Sequence, residues 1–92
     1  MIHPIISSEK VTVGTAAVSV PVNCRSFLIK NCSTNATVYF TEYENGGGAA
    51  TAETGFPLSP GETCPVTLNA RTLSLIASAQ ADVRLLYLGE GW

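Results

Sequence analysis

Apolar and polar residues alternate along most of this chain with the period of two that a half-buried strand produces. In KVTVGTAAVSVPV, Val11 and Val13 share one side and Thr12 the other. Gly14-Thr15 then turns the chain, and Val18, Val20 and Val22 again share a parity. SFLIKN, Ser26 to Asn31, sets Phe27 and Ile29 on one face and Leu28 and Lys30 on the other. A turn cluster, NCSTNA, separates it from TVYFTEY, in which Val38 and Phe40 point inward and Thr37, Tyr39 and Thr41 oppose them. Later, Leu73, Leu75 and Ala77 alternate with Ser74 and Ser78. In the last run, Val83, Leu85 and Tyr87 share one face, while Leu86 and Leu88 fall on the other. That strand is apolar on both sides, so both of its faces should be covered. Residues 73–80 would tolerate a helix, but the Leu-Ser-Leu alternation favours a strand.

The punctuation between these runs agrees with them. Pro21 and Pro65 suit edge strands, because proline cannot donate to a sheet ladder. EYENGGGAATAETG, residues 42–55, predicts a flexible Gly-rich surface loop, with Glu42, Glu44 and Glu53 in or beside it. In GFPLSPGET, Ser59-Pro60-Gly61-Glu62 fits a type II turn, with Pro60 at the second place and Gly61 at the third. Phe56 and Leu58 share a parity and should plug the sheet edge before that corner. The whole pattern predicts a single all-β domain over residues 1–92. It is a compact antiparallel β-sandwich or jelly-roll-like barrel of about seven to eight short strands, with an apolar N-terminal arm over residues 1–8.

Composition changes this picture in one respect. Apolar residues make up 46% of the 92, and charged residues only 13%. Globular domains average about 25% charged residues. The surface must therefore be built from Ser, Thr, Asn, Gly and Ala, a profile that suits a chain partly covered by a partner. Net charge is −2, and Lys10, Arg25, Lys30, Arg71 and Arg84 are scattered along the chain. A nucleic-acid binder would show a basic patch in sequence, so none is expected as a partner. No membrane partner is expected either, since no apolar run approaches the length of a membrane span. MIHPIISSEK lacks the charged start and long apolar stretch of a secretory leader, which predicts synthesis and assembly in a cytosol. Cys24, Cys32 and Cys64 are odd in number and read as three free thiols.

Catalytic chemistry finds little to stand on. His3 is the only histidine, and it sits near a terminus beside Pro4. The glutamates of residues 42–55 read as solvated, and Gly46-Gly47-Gly48 lacks the Lys-Ser/Thr ending of a phosphate loop. Cys64 has no base near it in sequence and reads as packing. No enzyme, cofactor or metal site is expected. The termini are more suggestive. Met1, Ile2, Ile5 and Ile6 form one apolar arm, and LYLGEGW ends on Trp92. Ile2, Ile5, Ile6, Leu86, Leu88 and Trp92 are the expected interface residues, Trp being enriched at interface hot spots.

The order of parts also carries a resemblance. The run IKNCSTNATVYF is followed by a loop, the corner Gly55, Leu58, Pro60, Gly61 and Glu62, then TLSLIAS and a last strand with Arg84. Over Phe27 to Leu88 this resembles small β-sandwich structural proteins of tailed bacteriophages, of the head decoration or cement type. The resemblance implies a virion protein on the capsid surface, assembled in the host cytoplasm. Its partners would be the major capsid protein and copies of itself, a trimer being favoured. A binding module of a phage tail or fibre, contacting a glycan or host surface through Tyr39, Tyr43 and Phe56, is the alternative.

Overall fold

The computed structural model describes residues 7–22, 26–43, 49–67 and 72–87. Within them the regular elements are strands: β1 (Ser7–Val13), β2 (Val18–Pro21), β3 (Ser26–Asn31), β4 (Val38–Glu42), β5 (Phe56–Leu58), β6 (Thr63–Thr67), β7 (Thr72–Ala77) and β8 (Ala81–Tyr87). They form two four-stranded sheets, A in the order β1-β8-β3-β6 and B in the order β2-β7-β4-β5. Every ladder is antiparallel. The pairs β1·β8, β2·β7, β3·β6 and β4·β5 are nested like the two arms of one long hairpin. Such a hairpin rolled into two facing sheets is the jelly roll, so the all-β sandwich expected from the alternation is the fold.

The alternation decides which side chains fill the space between the sheets. Sheet A contributes Val13, Phe27, Ile29, Val83, Leu85 and Tyr87; sheet B contributes Val20, Val38, Phe40, Leu58, Leu73 and Leu75. Phe27 and Tyr87 meet edge to face at 6.0 Å, a geometry aromatic quadrupoles favour. Burying one large apolar side chain contributes about 1.5–3 kcal/mol.

All four sheet edges are blunted. Pro21, Pro57 and Pro65 lie in the edge strands β2, β5 and β6. The fourth edge, β1, shares the inward register of Val11 and Val13 with Glu9, whose carboxylate accepts a hydrogen bond from the Tyr87 hydroxyl. Prolines and inward-pointing charges are devices that keep an edge from pairing with another chain. Three edges thus lack a backbone donor at their proline, and the fourth carries an inward carboxylate.

The loop expected over residues 42–55 divides. Glu42 closes β4, residues 44–48 lie outside the described residues, and Ala49–Gly55 forms a strap across the outer face of sheet B. Ser74 has the outward register of β7 yet is fully buried, because the strap covers it and the Ala50 N–H donates to its Oγ at 2.8 Å. Thr51 and Thr54 cap each other's turn: the Thr54 N–H donates to Thr51 Oγ1 at 3.0 Å, and the Thr51 N–H to Thr54 Oγ1 at 3.2 Å. The strap ends at Gly55, where a Cβ would stand 2.6 Å from the Tyr39 Cβ. Only glycine lets the backbone approach β4 so closely.

Beyond β5 the chain turns at Ser59–Glu62. Gly61 has φ +80°, and the Glu62 N–H donates to the Ser59 carbonyl at 2.9 Å. Pro60 and Gly61 thus occupy the central places of a type II turn. The Glu62 side chain closes the same turn from outside, accepting the Ser59 N–H at 2.8 Å. The expected plug before this corner is half right. Leu58 is fully buried, but Phe56 is 57% exposed and meets Phe40 edge to face at 5.6 Å. It stands at the far end of an edge strand, where no further strand covers it.

Candidate functional site

The nested pairing gives the two ends of the roll different contents. At one end lie the connections β1–β2, β3–β4, β5–β6 and β7–β8. They are tied to one another: Ala77 N–H to the Gly14 carbonyl at 2.8 Å, Ser78 N–H to the Thr37 carbonyl at 2.9 Å, Cys32 N–H to the Asp82 carbonyl at 2.8 Å, and Gly61 N–H to the Asn31 carbonyl at 2.7 Å.

Asn31 is the hub of this end. It continues the inward register of Phe27 and Ile29 and is fully buried. Its Nδ2 donates to the carbonyls of Ala36 at 2.8 Å and Leu58 at 2.9 Å. Its Oδ1 accepts the Ser33 N–H at 3.0 Å and the Ser33 hydroxyl at 2.7 Å. A buried amide so fully paired carries no desolvation penalty for a ligand to relieve. Beside it an open depression of about 390 Å³ is lined by Cys32, Ser33, Asn35, Gln80 and Asp82. Cys32 is free and exposed, and no base is placed against it. Among the described residues no three His, Cys, Asp or Glu side chains gather into a metal-binding group.

At the other end the chain enters β1 and leaves β8. Ser7, the first described residue, pairs with Tyr87, the last, at the edge of sheet A. Ile2, Ile5, Ile6, Leu88 and Trp92 lie outside the described residues, as do His3 and Cys24. Leu86 is described: it is half-buried on the outer face of sheet A, directly opposite Leu28.

That outer face holds an arrangement the linear sequence hides. Lys10 of β1 pairs with Arg84 of β8, and Arg84 pairs with Lys30 of β3. Three of the five basic residues thus form one row across three strands, all exposed. At strand spacing the row is about 10 Å long. Asp82 approaches Lys10 at 3.9 Å, and both side chains are about half exposed. Lys30 and Arg84 have no ionic partner among the described residues. One step along the strands, Ser8, Leu86, Leu28 and Pro65 make the adjacent row. Scattered charges along the chain become neighbours through non-local pairing, and the only advance signal was their shared parity with Leu28 and Leu86 in alternating strands.

No family model matches the chain, and no curated protein or solved structure matches it.

Proposed function

We propose that the chain is a non-enzymatic virion structural protein, a capsid decoration protein that binds the outer shell as an oligomer and stabilises it. The observation that carries this reading is the Ser7–Tyr87 pairing at the edge of sheet A, which two apolar stretches of sequence, residues 1–6 and 88–92, adjoin along the chain. Each segment holds large apolar residues, Ile2, Ile5 and Ile6 in one and Leu88 and Trp92 in the other. Together they are suited to anchoring in neighbouring subunits, where permanent interfaces are more apolar than transient ones. The sparse charge and the half-buried Leu86 support it, and the jelly roll, a frequent architecture of viral shell proteins, adds an analogy of fold. Many copies on a lattice would stabilise one another by mass action, which helps a domain of this size.

The test has two parts. Sedimentation should give a trimer or larger ring for the full chain and a smaller species once residues 1–6 or 88–92 are removed. The full chain should also co-sediment with shells assembled from the major capsid protein of the same genome. A monomeric full chain that leaves such shells bare overturns the reading. The second reading, a glycan-binding module, draws on the exposed Tyr43 and Phe56. It would show instead as saturable tryptophan-independent shifts at those two rings in a glycan titration.

A further inference from the structure

We infer that the outer face of sheet A docks on an acidic protein surface, whose carboxylates meet Lys10, Arg84 and Lys30 while its apolar side chains cover Leu28 and Leu86. Like charges directly opposite on neighbouring strands destabilise a sheet. This sheet has two such pairs in succession, Lys10 with Arg84 and Arg84 with Lys30, in a chain with only five basic residues. Asp82 approaches one end of the row at 3.9 Å and leaves the rest unneutralised. An external anion relieves that repulsion, and the guanidinium of Arg84 between two ammonium groups suits carboxylates presented in a line.

The row beside it decides what carries the carboxylates. Leu28 and Leu86 are half-buried and face outward with Pro65, so the partner needs apolar side chains in register with its acids. A phosphate backbone offers nothing to that row. Among the described residues this face has no aromatic side chain on which bases could stack. Anionic membranes are held by larger clusters, of about four to eight basic residues. That the partner is a protein of the assembly rests on the reading above; the sign and pattern of the surface do not.

The test uses the full chain, isotope-labelled, at low salt. The probe is a capped peptide alternating Glu and Leu, with a Gln-Leu peptide as the neutral control. The acidic peptide should shift the amides of Lys10, Leu28, Lys30, Arg84 and Leu86, and the neutral one should not. Lys10→Glu/Lys30→Glu should weaken binding at least tenfold. Lys30→Glu alone, which keeps the Lys10–Asp82 pair, should raise the melting temperature of the free protein by about 2–4 °C, since it replaces the repulsion from Arg84 with cross-strand attraction; a merely structural row would lose stability instead. Absence of shifts with the acidic peptide, or a lower melting temperature in the Lys30→Glu variant, overturns the inference. Oligothymidylate shifting the same amides at equal or higher affinity overturns it in favour of a nucleic acid. Peptide binding without co-sedimentation on shells overturns the decoration reading and leaves this face an acid-binding one.

Discussion

The two ends of the roll are built on opposite principles. At the turn end, four short connections are laced together, and Asn31 spends every hydrogen-bonding group it has on them. At the other end Ser7 pairs with Tyr87, whose hydroxyl donates to the Glu9 carboxylate on the neighbouring strand. One end satisfies itself; the other is where the chain enters β1 and leaves β8. On the proposed reading, stability and association lie at opposite poles of a domain with only 92 residues. Substitutions at the turn end should then cost stability, and removal of residues 1–6 or 88–92 should alter what the protein binds.

The most damaging change on this view is Asn31→Ala. It removes the donor to the Leu58 carbonyl and the acceptor of the Ser33 N–H, while the Ser33 hydroxyl still reaches the Ala36 carbonyl at 2.9 Å, and it should cost about 3 kcal/mol in chemical denaturation. A loss no larger than that of an exposed Asn35→Ala would erase the distinction between the ends. Gly55→Val comes next, at about 2–3 kcal/mol, because the new Cβ meets the Tyr39 Cβ and the backbone of Phe40. Its cost should appear with faster amide exchange at Ala50, since the strap must lift from Ser74. Gly61→Val meets no atoms, so its cost of about 1–3 kcal/mol is that of φ +80° alone. Gly61→Asn should recover most of it, and equal losses for Val and Asn would refute the turn type. Tyr87→Phe, which removes the bond to Glu9, should cost about 1 kcal/mol. Smallest of all, removal of residues 1–6 should leave the denaturation midpoint within about 0.5 kcal/mol of the parent while reducing the oligomer mass. A large loss of stability from that truncation would blur the contrast from the other side.

The sheets were legible because alternation is a local signal. Val11 and Val13, Phe27 and Ile29, and Leu73 and Leu75 each report their own burial through their own parity. The edges were legible through Pro21 and Pro65, which exclude a central place in a ladder. Three features were not legible, and each depends on a residue distant in sequence. Ser74 has a polar residue's outward register, and only the strap from Ala49 makes that position buried. Phe56 has an inward parity, but its strand is short and at an edge, so parity did not translate into cover. The row of Lys10, Arg84 and Lys30 requires the register of two ladders to be known. Asn31 lies between these cases. An asparagine at a core parity, followed two places on by a serine, is the pattern of a side chain bonding its own turn, and it was read only as the end of a strand.

The guarded edges have a consequence for copies held close together. A β-protein concentrated on a lattice sits at a local density where exposed strands would recruit one another into continuous sheets. Here Pro21, Pro57 and Pro65 remove donors from three edges, and the inward Glu9 marks the fourth. Crowding therefore cannot be answered by strand exchange. On the proposed reading, copies packed shoulder to shoulder would come apart as separate folded units when the assembly is dissolved.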